Sequence, residues 1–225
     1  MSAADESEQG LRAAVVSTAR DMNALGINRG KSGNVSVRRR AADFDGYLIT
    51  PTGLPYASME PSDIVAMPIA GEASAAVGSR LPSSEWRFHR DIYRARSDAG
   101  AIVHTHAPFA TSLACLGRAI PAFHYMVAAA GGNDIRCAPY ATFGTQGLSD
   151  NALAALDGRR ACLLANHGMI AFGTTLGAAL ALAVEVETLA EMYCRVLQLG
   201  EPILLSDDEM NVVVGKFRTY GQPGT

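Results

Sequence analysis

The chain has no C-x-x-C pair, no basic surplus and no apolar run near the roughly 18 residues that a membrane span requires. Its four cysteines, Cys115, Cys137, Cys162 and Cys194, are widely spaced in apolar contexts typical of buried thiols, so disulfides are not expected. Residues 1–10 are polar and acidic without an apolar h-region, so no secretory signal is expected and the protein reads as cytoplasmic. A formal net charge of −3 offers little to neutralise phosphates, which argues against nucleic acid as a partner, and nothing points to a membrane. The one basic cluster, Arg38-Arg39-Arg40, reads as a solvated strand end or turn.

What is present suits one α/β domain over residues 1–225: 48% of the residues are hydrophobic, ample for a sizeable core. Residues 1–9 read as a flexible tail, followed by a helix carrying Leu11, Val15, Val16, Ala19, Met22 and Leu25 at spacings of three and four, stopped by Gly26. Residues 34–38 and 47–50 read as strands joined by a hairpin connection around Asp43-Phe44-Asp45-Gly46. Ser83 or Ser84 would cap a helix through Tyr93. Further helices are expected at 111–117, at 151–156 capped by Ser149, at 176–199 capped by Thr175, and from Ser206 through Phe217. Gly131-Gly132 would stop the apolar stretch before it, and 161–165 reads as a buried strand. Irregular alternation of strands and helices favours a three-layer α/β/α domain on a mixed, largely antiparallel sheet.

The most informative segment is His104-Thr105-His106, because alternate residues of an extended strand project from one face and bring two imidazoles together. Neutral imidazole is a common ligand for zinc and similar ions, although a lone His-x-His is also compatible with structural histidines. His167 stands where an apolar strand meets a glycine turn, a place where sites are built. Of the remaining two, His89 falls within a helix pattern and His124 beside Tyr125. Glu85 at a helix start is either a fourth ligand or a helix cap. Three donor-rich loops, Lys31-Ser32-Gly33-Asn34, Thr50-Pro51-Thr52-Gly53 and Ser83-Ser84, are either anion cradles or ordinary turns. Gly30-Lys31-Ser32 is not a P-loop, since Gly26 stands one residue too close and a helix, not a strand, precedes it.

Ordered stretches, among them Gly33-Asn34-Val35-Ser36-Val37-Arg38, Leu48-Ile49-Thr50-Pro51-Thr52-Gly53, Leu81-Pro82-Ser83-Ser84-Glu85-Trp86-Arg87-Phe88-His89, Cys137-Ala138-Pro139-Tyr140-Ala141-Thr142-Phe143-Gly144-Thr145, His167-Gly168 and Lys216-Phe217-Arg218-Thr219-Tyr220-Gly221, resemble the class II aldolase/adducin superfamily. They are most similar to its zinc-dependent L-fuculose-1-phosphate aldolases. That resemblance implies one zinc ion per subunit held by His104, His106, His167 and Glu85, with Glu85 also the acid/base. It further implies a substrate phosphate at Asn34, Thr52, Gly53, Ser83 and Ser84, and catalytic or substrate-closing roles for Tyr125, from a neighbouring subunit, and Tyr220, on a closing tail after 206. The implied reaction cleaves a ketose 1-phosphate such as L-fuculose 1-phosphate into dihydroxyacetone phosphate and a small aldehyde such as lactaldehyde, in a homotetramer with sites between subunits. Cleavage between C3 and C4 leaves an enediolate, whose charge calls for a Lewis acid. Aldolases or dehydratases of methylthioribulose or deoxyribulose 1-phosphate, ribulose-phosphate 4-epimerases, and a non-catalytic adducin-like module are the other expectations the superfamily offers; Glu85 argues against the epimerases, which typically carry Asp there. Lys31-Ser32 and Asn166 depart from the fuculose enzymes, and Lys31 either adds a cation to the phosphate site or points to solvent.

Overall fold

The computed structural model describes residues 8–42 and 44–217. Its seven-stranded sheet consists of β1 (Asn34–Ala41), β2 (Phe44–Ile49), β3 (Val65–Pro68), β4 (Ala101–Thr105), β5 (Cys137–Ala138), β6 (Ala161–Leu164) and β7 (Gly168–Gly173), in the order β3-β2-β1-β4-β7-β6-β5. All neighbours are antiparallel except β5 and β6. The two edge strands are the shortest or among the shortest, which limits the unpaired backbone they present. Helices α1 (Glu8–Ala24), α3 (Pro108–Cys115) and α5 (Leu176–Leu199) cover one face, packing Val15, Met22, Leu113, Ala183 and Val186 against Val35, Val103 and Ala171. On the other face α2 (Trp86–Ala95) and α4 (Gln146–Ala155) pack Phe88, Ile92, Leu148 and Ala152 against Ile49, Ile102, Ile170 and Phe172. Last comes α6 (Asp207–Phe217), whose Met210 is buried in the first of these cores. The expected three-layer α/β/α domain is therefore present, and strand alternation puts His104 on the α2 side together with Ile102.

Several boundaries differ from the sequence reading for identifiable reasons. Glu8 opens α1, inside the stretch read as tail, because its carboxylate holds Arg12 at 2.6 Å and Arg39 at 3.0 Å. Phe44, Asp45 and Gly46 are ladder residues paired with Ala41, Arg40 and Arg39, not a connection. Arg38 is not solvated: its guanidinium donates to the carbonyls of Tyr93, Arg96 and Ala99 and so closes the C-terminal end of α2. Thr145, not Ser149, caps α4 by accepting from the Leu148 amide, while the buried Ser149 hydroxyl donates to Asp91 at 2.7 Å. Strand β7 was not foreseen, because all six of its residues are buried and no polar alternation marks it. Cys162 is buried as expected, but Cys115 is exposed, and all four thiols are free. Among the described residues no helix is long and apolar enough to cross a membrane.

Helix α3 begins two residues after His106, so its anchoring matters to the site. The Glu187 carboxylate of α5 accepts from the Phe109 and Ala110 amides, each at 2.8 Å, taking the place of a local cap. Glu187→Ala is expected to lower the unfolding free energy by about 1–2 kcal/mol, as for other lost caps. An unchanged denaturation midpoint would contradict this anchoring.

Candidate metal centre

Three imidazoles reach one point from two neighbouring strand ends. His104 lies in β4, whose partners there are Asn34 of β1 and Ile170 of β7. His106 follows just past the end of β4, and His167 occupies the turn between β6 and β7, entered through Asn166 in the left-handed conformation at φ 55°. Ring centroids are 4.8 to 5.1 Å apart, and one ligand nitrogen from each ring lies within 4.8 Å of the others. Two glycines make this closeness possible. A Cβ on Gly168 would stand 2.4 Å from the Thr105 carbonyl, and one on Gly33 would stand 2.5 Å from the His104 carbonyl.

Glu85 does not act as a side-chain cap. It is the N-cap residue of α2, yet its carboxylate makes no capping bond; the Glu85 amide is instead held by Ser83 Oγ at 3.3 Å. Its two oxygens face His104 Nε2 and His167 Nε2, each at 3.1 Å. His104 Nδ1 donates to the Met169 carbonyl at 2.9 Å, which leaves Nε2 turned toward the carboxylate. Glu85 Oε1, His104 Nε2 and His106 Nε2 are buried without a hydrogen-bond partner among the described residues. Orphaned electron pairs gathered in this way fit a divalent cation with three imidazole nitrogens and one carboxylate oxygen, the donor set of a zinc-type ion.

The electrostatics agree. Burial pushes the Glu85 carboxyl up, but the facing His104 and His167 imidazoles more than reverse this and hold it ionised, well below the usual range. Burial, with the neighbouring His104 and His167, brings His106 down to about 4. His89, fully buried, is down to about 3 for the same first reason, with His104 adding to it.

The expected phosphate loops adjoin one another at the rim. Pro51 bridges to Pro82, the Thr52 amide donates to the Leu81 carbonyl at 3.1 Å, and Lys31 Nζ donates to the Gly53 carbonyl at 2.9 Å. Thr52, Gly53 and Ser84 are exposed, whereas Ser83 is buried. Asn34 lies deeper: its amide donates to Glu85 Oε2 at 2.9 Å and its carbonyl meets His89 Nε2 at 2.5 Å. A cavity of about 250 Å³ opens over Glu85, His106 and His167, lined also by Ser32, Ser84, Tyr140, Phe143 and Asn166. Tyr140 and Phe143 were not singled out from sequence; their large exposed rings are the signal that marks them. Tyr125, half exposed on a 3-10 turn (Tyr125–Ala130), lines a separate groove with Met126, Val213, Lys216 and Phe217 rather than this cavity. Tyr220 lies outside the described residues.

Residues 13–194 match the class II aldolase and adducin N-terminal domain. The chain belongs to this family. It is 61% identical over 211 residues to a 5-methylthioribulose-1-phosphate/5-deoxyribulose-1-phosphate aldolase of Rhodospirillum rubrum, covering 94% of this chain and 92% of that protein. An L-fuculose phosphate aldolase of Escherichia coli is 51% identical over 208 residues, 92% of this chain and 94% of the relative. A solved L-fuculose 1-phosphate aldolase superimposes with a TM-score of 0.87 at 42% identity, over 92% of this chain and 96% of the other. This class II aldolase is thus a lyase of the aldehyde-lyase type, close to the fuculose phosphate aldolases as the sequence motifs suggested.

The depressed histidines give the metal-free aldolase a defined response to acid. Because His106 and His89 protonate lower in the folded protein than their ordinary 6.5, the unfolded chain binds more protons between that value and about 4. Their contribution is fully present above pH 6.5 and is lost as the pH falls toward their folded values. The unfolding free energy of metal-free protein should therefore drop from pH 7 to pH 5, and His106→Asn should shallow the drop. Equal wild-type stability at both pH values would contradict it.

Proposed function

We propose that the protein cleaves a ketose 1-phosphate between C3 and C4, giving dihydroxyacetone phosphate and a small aldehyde, at a zinc site held by His104, His106, His167 and Glu85. The observation that carries the reading is the convergence of these four donors, three of whose atoms are buried and unpartnered. A divalent ion there supplies Lewis-acid stabilisation of the negative charge left on the dihydroxyacetone phosphate half as the bond breaks. Glu85 carries the C3 proton, taking it up in the aldol direction and returning it on cleavage. Ser83, Ser84, Thr52, Gly53 and Asn34 hold the phosphate through hydroxyls, the Asn34 amide and the Gly53 backbone N–H, with Lys31 joining two of these loops. Fixing the phosphate there orients the reacting carbons over the imidazoles.

Tyr125 exchanges a proton with the aldehyde oxygen. Since it lines a groove apart from the histidine cavity, this role requires a second subunit, and we take the assembly to be a homotetramer with sites between subunits. Tyr220 closes over the substrate in this reading. A cytoplasmic setting fits phosphorylated sugars, whose charge keeps them from crossing membranes.

For the substrate we favour a 5-deoxypentulose or 5-methylthiopentulose 1-phosphate, supported by the 61% identity to an aldolase named for both. The aldehyde released is then acetaldehyde or its methylthio derivative, and Tyr140 and Phe143 offer apolar rings to it. L-Fuculose 1-phosphate, giving lactaldehyde, is the second reading, supported by the 51% relative and by the solved structure.

Retro-aldol assays of zinc-loaded protein on these three ketose 1-phosphates, coupled to dihydroxyacetone phosphate detection, test the reading. Turnover of at least one, highest for a 5-deoxy or 5-methylthio substrate, is expected, and no release from any of them overturns the assignment. Glu85→Gln should stay folded and lose at least about 100-fold in kcat, the scale of a missing acid/base. A variant within tenfold of wild type would show that another group moves the proton.

A further inference from the structure

Strand and helix periodicities coincide beside the metal centre. Asn34 and Ser36 of β1, two apart, point to the α2 side of the sheet, and Glu85, His89 and Tyr93, four apart, form one stripe at the start of and along α2. Tyr93 Oη lies 2.8 Å from Ser36 Oγ, which lies 2.7 Å from His89 Nδ1. His89 Nε2 meets Asn34 Oδ1 at 2.5 Å, and Asn34 Nδ2 reaches Glu85 Oε2 at 2.9 Å. All five residues are buried, none more than 5% exposed.

The chemistry of the last member fixes the direction of every bond. An ionised carboxylate only accepts, so Asn34 presents its NH2 to Glu85 and its carbonyl to His89. His89 must then carry its proton on Nε2, leaving Nδ1 to accept from the Ser36 hydroxyl. Ser36 in turn accepts from Tyr93. One chain of donors thus runs from the last turn of α2 through β1 to a single oxygen of Glu85, whose other oxygen has no hydrogen-bond partner among the described residues.

We propose that His89 is a positioning residue for Glu85: through Asn34 it fixes which carboxylate oxygen is tied to β1 beside His104 and which is left to face His167. Mutual satisfaction of buried polar groups would account for hydrogen bonds among these residues in any arrangement. It does not require that they terminate in series on one oxygen of a carboxylate whose other oxygen is left bare at 3.1 Å from His167 Nε2. A lone imidazole in this slot can donate to Asn34 and accept from Ser36 at once, which no aliphatic side chain can do. Asn34 also stands in the loop assigned above to phosphate, so the two roles have to be told apart by experiment.

The inference rests on the reading of Glu85 as ligand and proton carrier, and it is tested with the metal-loaded full chain. In His89→Leu, kcat is expected to fall about 10- to 100-fold, the range seen when a partner of a ligand is removed, with KM within about twofold of wild type. Loading with cobalt(II) in place of zinc gives a readout independent of turnover, and the visible spectrum of the cobalt protein should change in His89→Leu. His89→Gln, whose amide both donates and accepts, should restore most of kcat and the wild-type cobalt spectrum. Ser36→Ala, which leaves the ring in place but removes the donor to Nδ1, should shift both readouts in the same direction by a smaller amount. It decides the matter if His89→Leu does not fold. A folded variant with unchanged kcat and cobalt spectrum, or one whose KM rises while kcat stays constant, overturns the proposal. Should wild type cleave none of the sugar phosphates, the aldolase reading fails alone, because the cobalt comparison still tests the positioning of Glu85.

Discussion

A buried carboxylate facing two imidazole nitrogens at 3.1 Å is the constraint around which this structure is arranged. In a buried setting such an arrangement is costly unless a cation shares it, since a buried charge and unpaired polar atoms forfeit their hydration. Everything nearby holds the groups there. The Met169 carbonyl fixes the tautomer of His104, Asn34 holds one oxygen of Glu85, and Gly33 and Gly168 let the flanking backbones close on β4. Glu85, His106 and His167 stand at the floor of the cavity that Ser84, Tyr140 and Phe143 also line.

The fold serves the same end. The histidine strand β4 is central in the sheet, paired with β1 and β7 and buried along its whole length, so its side chains have little freedom. Glu85 comes from the start of α2 on the face to which His104 points, and His167 comes from the turn that follows β6. The loops proposed to hold the phosphate lie instead at the strand ends, where Lys31 and the Pro51 to Pro82 bridge link three of them. A rigid floor with adjustable walls is consistent with relatives that carry different sugar phosphates in their names.

Much of this was legible in the residues. Thr175 followed by a long amphipathic run gave α5 its observed limits, and the His-x-His spacing together with His167 anticipated the cluster of three imidazoles. Two kinds of information were hidden. Strand β7 has no polar face, so periodicity could not separate it from a turn. Thr145 and Ser149 are both good cap residues, and only the fold shows that Ser149 is buried against Asp91 while Thr145 holds the start of α4. The role of Glu85 was ambiguous for a related reason: a glutamate at a helix start looks the same whether its carboxylate bends back to the backbone or reaches across to another strand. His89 carried a signal that was available but unused, since a polar residue four positions after Glu85 must share its face of the helix.

X-ray absorption at the metal edge of the zinc-loaded protein tests the central claim most directly. The account predicts one zinc per chain with three imidazole nitrogens at about 2.0–2.1 Å and a carboxylate oxygen at about 2.0–2.2 Å, and Glu85→Gln should alter the oxygen shell while leaving the imidazole scattering intact. Fewer than three imidazoles, a sulfur scatterer, or an oxygen shell indifferent to Glu85 would contradict it.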